Sequence, residues 1–93
     1  MTVVLLDGEK IENAKELHRV FAQTLSLPDY YGSNLDALHD ALTDISDGIG
    51  VVAVNTPLLQ KRMGRRWHSF CRLMEDLTEE KPGFHWCPDP FEK

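Results

Sequence analysis

The sequence predicts an α/β fold, a three-stranded parallel sheet packed with helices. Short β-branched, apolar runs alternate with longer segments of helical periodicity, the order expected for strands joined by right-handed helical crossovers. The first run is continuously apolar, which suggests a strand covered on both faces. Ninety-three residues make one domain, residues 1–93, with material for one modest core.

Thr2 to Leu6 (TVVLL) is the first strand, closed by the Asp7-Gly8 turn signal. Asn13 to Glu16 (NAKE) reads as a capping box, with Asn13 as N-cap and Glu16 reaching back. Leu17, Val20, Phe21, Thr24 and Leu25 then share one helical face, and Pro28 ends the helix. Asp29 to Gly32 is a loop, and Ser33 or Asn34 caps the next helix. The apolar stripe of that helix is Leu35, Leu38, Ala41 and Leu42, extended by Ile45.

Asp47-Gly48 breaks the second helix, and Ile49 to Val54 form the second strand. Thr56 is the expected cap of a third helix, with Pro57 in the favoured first position. Gly64 divides this from a longer helix, Arg65 to Glu80, whose core face is Phe70, Leu73, Met74 and Leu77. Pro82-Gly83 stops it, and Phe84 to Cys87 form a short third strand cut by Pro88 and Pro90.

Charge is distributed unevenly. Residues 29–48 hold five aspartates and no Lys or Arg, which matches the formal net charge of −5 for the whole chain. Asp36, Asp40 and Asp44 follow i, i+4, i+8 spacing and stack along one helix side. Each like-charged pair costs an isolated helix about 0.2–0.5 kcal/mol. Asp36 complements the positive end of the helix dipole, but Asp40 and Asp44 gain no such help. The ridge is either a solvated polar face or a surface facing something positive.

Composition narrows the function classes. Hydrophobic content of 42% with eight aromatics excludes a disordered chain. No apolar run approaches the ~18 residues of a membrane span. The N-terminus lacks a basic segment followed by an apolar one, so no secretory signal is expected. Two cysteines, Cys71 and Cys87, fit a reducing cytoplasm. The acidic balance points to a basic partner and away from nucleic acid.

The segment from Leu27 to Thr43, LPDYYG followed by NLDALHDALT, resembles the barstar family of intracellular ribonuclease inhibitors. Weaker similarity runs through Val3 to Ile11 and the helical pattern around Leu17. The resemblance implies the α/β architecture read above, no enzymatic activity, no cofactor, and a small basic ribonuclease bound one-to-one. It implies a cytoplasmic immunity or antitoxin role, in which an acidic helix and loop imitate RNA phosphates at the nuclease active site. By the resemblance, Asp40 is the central aspartate entering the phosphate site, and Asp36 an acidic contact at its edge. Tyr30 packs near the catalytic histidine, Gly32 and Asn34 contact the enzyme through the loop, and Thr43 is a polar contact beyond Asp40. Asp76 is a peripheral acidic contact on the long helix, and Glu80 extends its face.

Three positions depart from the family pattern. His39 and Ile45 stand at tryptophan positions, and Asp44 stands at a glycine. His39 either stacks on or hydrogen-bonds a partner, or is a surface histidine beside an acidic cluster. Together these departures point away from barnase, the secreted ribonuclease that barstar inhibits, and towards a related or different nuclease.

Other constellations carry less. Lys61 to Arg66 is a basic run read as a solvated helix junction. His68, Cys71, His85 and Cys87 are four potential zinc ligands without a paired-cysteine knuckle, so no metal is expected. Asp36, His39 and Asp40 could form an acid/base set, but no nucleophile elbow or phosphate loop accompanies them. A convex helix face also excludes little water. Trp67 and Trp86 are read as packing residues. The alternative function is an acidic regulatory module that binds a basic protein other than a nuclease.

Overall fold

The computed structural model describes residues 1–28 and 31–88. Its elements run in the order β1 (Thr2–Asp7), α1 (Ala14–Leu25), α2 (Leu35–Asp44), β2 (Ile49–Val54), α3 (Thr56–Met63), α4 (Arg65–Glu80) and β3 (Phe84–Cys87). The strands form one parallel sheet in the order β1-β2-β3, with Thr2 opposite Ile49 and Ile49 opposite Phe84. The predicted α/β class and the order of its strands and helices agree with this architecture.

The fully buried apolar side chains of the sheet lie on one face. Val4 and Leu6 of β1, Ile49, Val51 and Ala53 of β2, and Phe84 of β3 meet the helices there. The helices contribute Leu17 and Phe21, Leu38 and Leu42, Leu59, and then Phe70, Met74 and Leu77. Phe70 sits at the centre, 5.4 Å from the stacked Trp67 ring and 5.7 Å edge-on from Trp86. Phe21 closes the cluster from α1, 5.9 Å away. Full burial of such a side chain contributes about 1.5–3 kcal/mol; Trp67 is buried and Trp86 half-buried against Phe70, so both tryptophans act as packing residues.

The first strand departs from expectation. It is covered on one face only, because Val3 and Leu5 are each 54% exposed while Val4 and Leu6 are fully buried. Both side-chain rows of β1 are apolar, so the sequence carries no alternation to reveal which row is open.

The start of α3 also differs. Asn55, not Thr56, holds the cap position, with a left-handed φ of +54°, and Thr56 is the first helical residue and is buried. Asn tolerates this conformation better than the β-branched Thr. Asn55 Nδ2 donates to Asp7 Oδ1 at 2.9 Å, joining the ends of β1 and β2. Gly8 follows from the same junction, since a Cβ there would lie 2.2 Å from the Asn55 carbonyl oxygen. Arg62, expected in a solvated basic run, instead donates to Gly8 O at 2.7 Å and Ile11 O at 3.2 Å. It therefore pins α3 to the loop between β1 and α1.

Of the expected capping box, Asn13 Oδ1 accepts the Glu16 amide at 2.9 Å, while the Glu16 carboxylate, expected to reach back, pairs with Arg19 at 3.3 Å. Gly64, at φ +58°, both ends α3 and begins α4. α1 ends at Leu25, three residues before Pro28, and the cap residue Ser26 adopts φ +54° with its amide bonded to Ala22 O. Pro90, expected to help cut the last strand, lies outside the described residues.

Candidate functional site

α2 builds the site. Asn34 enters it from extended backbone and Oδ1 accepts the Ala37 amide at 2.8 Å, satisfying one orphan donor of the first turn. Its Nδ2 donates to Gly32 O at 3.4 Å, so one side chain ties loop and helix together. Of the two candidate caps, Asn34 is the one used; Ser33 takes a left-handed φ of +53°. Leu38 and Leu42 are fully buried and seat the inner face of α2 on the core. Helical geometry then puts Asp36, Asp40 and Asp44 on the outer face, where all three are exposed. Among the described residues, no Lys or Arg pairs with any of them.

α4 adds a second acidic element. Glu80 Oε1 lies 3.0 Å from His39 Nε2, and His39 Nδ1 lies 3.9 Å from Asp40 Oδ1. His39 therefore stands between carboxylates of two helices. Its hydrogen bond to Glu80, aided by both negative charges, raises its pKa above the ordinary value. Lys81 Nζ donates to the Ile45 carbonyl and closes the C-terminal end of α2 onto α4. Thr43 Oγ1 donates to His39 O at 2.7 Å, so this hydroxyl is engaged within its own helix. Asp76 is exposed on α4, one turn before Glu80.

The acidic face is not simply convex. A shallow groove of about 240 Å3 separates the preceding loop from α2, with Pro28, Tyr31 and Gly32 on one side and Ala37, Asp40 and Asp44 on the other. Tyr31 gives the loop side a fixed base. Its hydroxyl is 2.5 Å from His18 Nδ1, and His18 is 95% removed from solvent on α1. Burial lowers the His18 pKa and pushes that of Tyr31 up to about 12, so a neutral phenol meets a neutral imidazole.

The predicted residues Gly32, Asn34, Asp36, His39, Asp40, Thr43 and Asp44 thus lie along one loop and helix, and Glu80 joins them through His39. Tyr30 lies outside the described residues. Sequence reasoning missed Tyr31, whose partner is 13 residues away, and Lys81, whose partner is 36 away. The four potential zinc ligands do not converge: His68 and Cys71 belong to α4, whereas His85 and Cys87 occupy the sheet face opposite the core. No helix among the described residues is long and apolar enough to cross a membrane.

Over residues 1–86 the chain matches the family model described as Barstar (barnase inhibitor). A Bacillus subtilis (strain 168) protein named "Putative ribonuclease inhibitor YrdF" is 49% identical over 81 residues, covering 86% of this chain and 89% of the relative.

Proposed function

The chain belongs to the barstar family of ribonuclease inhibitors, and from that premise we propose that it plugs a ribonuclease active site one-to-one with α2 and its preceding loop. The observation that carries this reading is the row of exposed carboxylates at Asp36, Asp40 and Asp44, which have no Lys or Arg partner among the described residues and are extended across to α4 by the contact between His39 and Glu80. Ribonuclease sites present cations that bind substrate phosphates through charge-assisted hydrogen bonds. A carboxylate fixed on a packed helix occupies such a site without offering a cleavable bond. Asp40 takes the central position in this scheme, because it borders the groove and lies beside His39, which in turn contacts Glu80 of α4. Asp36 and Asp44 flank it, Gly32, Asn34 and Tyr30 supply the loop contacts, and Thr43, Asp76 and Glu80 form the rim.

The family's role is inhibition, not catalysis. In this reading the protein acts in the cytoplasm as an immunity or antitoxin partner of its nuclease, a setting that suits its free thiols at Cys71 and Cys87. The test is an inhibition titration against a panel of small basic microbial ribonucleases, with Asp40→Ala beside the wild type. Stoichiometric inhibition lost in the variant is the expected result. Inhibition that survives Asp40→Ala would move the site, and capture of a basic non-nuclease protein in place of any ribonuclease would replace the reading with that of an acidic regulatory module.

A further inference from the structure

The helix layer contains a cavity of about 640 Å3 between α1, the N-terminal end of α2 and the junction of α3 with α4. Its apolar lining comes from Leu17, Leu35, Met63 and Phe70. Lys15, Arg65 and Arg66 also line it. The chain has ten Lys and Arg against fifteen Asp and Glu, yet three of the bases reach this cavity and none of the acids does. None of the three cations has a hydrogen bond or ion pair among the described residues.

The start of α4 adds to the same potential. It has no side-chain cap and no acid in its first turn, so no carboxylate offsets its positive dipole end next to Arg65 and Arg66. Walls of low dielectric concentrate such a field, and the volume and apolar character fit a small-molecule site. An isolated inorganic anion would leave the apolar surface wet. A neutral apolar molecule would leave three cations without counter-charge.

We propose that this cavity binds a small amphiphilic anion, an aryl or alkyl body carrying a carboxylate or phosphate. The body lies over Leu17, Leu35, Met63 and Phe70, and the anionic head is held by Lys15, Arg65 and Arg66. Arginine's planar fork suits either head group. The site does not depend on the inhibitory reading, since its charge is opposite to that of the α2 ridge.

Calorimetric titration of the full chain with 1-naphthyl phosphate, 1-naphthylacetate, neutral 1-naphthaleneethanol and inorganic phosphate tests it. Both aryl anions are expected to bind saturably at one site, with the neutral alcohol and inorganic phosphate each at least about tenfold weaker. The double variant Arg65→Ala/Arg66→Ala changes two exposed side chains; it should weaken the aryl anions at least about tenfold while the circular dichroism spectrum stays the same. Lys15→Ala, on a different helix, should weaken them in the same direction. Absence of saturable binding, equal binding of the neutral alcohol, parity of inorganic phosphate with the aryl phosphate, or full affinity in the double variant would each overturn the proposal.

Discussion

His39 on α2 holds Glu80 on α4 at 3.0 Å from its Nε2, a contact between residues 41 apart in sequence that joins the two helices. It places a titratable cation between carboxylates of the two helices, Asp40 and Glu80. The face therefore has its greatest negative charge when His39 is neutral.

The contact gives stability a specific pH dependence. Folding raises the His39 pKa, chiefly through the Glu80 hydrogen bond, so protonation is favoured in the folded chain. The contribution is full below the unfolded value of 6.5 and is lost as pH rises through the raised folded value. Because both groups are substantially exposed, it amounts to about 0.5 kcal/mol or less. His18 works in the opposite sense, since burial lowers its pKa and stability falls with acidification below 6.5. Glu80→Gln leaves His18 untouched, so the difference between wild type and variant isolates His39. Urea unfolding should show the wild type ahead at pH 5.5 and the two proteins equal at pH 9; a gap independent of pH would refute the assignment.

Tyr31→Phe should destabilise the fold by about 1–3 kcal/mol, the usual cost of leaving a buried polar atom without its partner. The atom is His18 Nδ1, which has the Tyr31 hydroxyl at 2.5 Å. A lowered urea midpoint with an unchanged slope is expected. A loss below about 0.5 kcal/mol would mean that water replaces the hydroxyl and that the loop is not anchored there.

Much of the fold was legible because its signals are local. Asn13 and Asn34 each precede a helical stripe, and Gly64 interrupts one, so boundaries followed from capping and backbone rules. The carboxylates of the acidic ridge repeat every fourth residue and could be placed on one face from spacing alone. The open face of β1 was hidden, because TVVLL is apolar on both sides of the strand. The Asn55 cap was displaced by a left-handed backbone for which Thr56 is ill suited. His39 and Glu80 were each expected at the site, but their contact depends on how α2 crosses α4, and no sequence periodicity encodes a pair that distant. The cation-lined cavity was missed for the same reason: Lys15 is 50 residues from Arg65.

Asn34→Ala should cost about 1 kcal/mol, with about 0.5–2 kcal/mol the usual span for a lost side-chain cap. The signature is local, since the Ala37 amide loses its acceptor and should exchange with solvent faster than in the wild type. Ser33→Gly should be neutral or slightly stabilising, because Ser33 already occupies a left-handed backbone that glycine adopts freely. Equal losses at both positions would show that loop rigidity, not capping, sets the stability of α2.

Asp40 and Asp76 should separate in binding kinetics once a cognate nuclease is in hand. Asp40 borders the groove and lies next to His39, whereas Asp76 is exposed on α4 and does not line the groove. If Asp40 meets a buried cation, Asp40→Ala strands that charge, costs about 2–5 kcal/mol and acts mainly on dissociation, a range drawn partly from measurements on the barnase–barstar pair itself. Asp76 contributes through the long-range field. Its removal should therefore slow association, flatten the dependence of the association rate on salt, and leave dissociation nearly unchanged. Stopped-flow association at low and high ionic strength, paired with dissociation by competitor chase, distinguishes the two. Small and equal losses for both variants would show the acidic face acting as a diffuse field, with no anchoring carboxylate at Asp40.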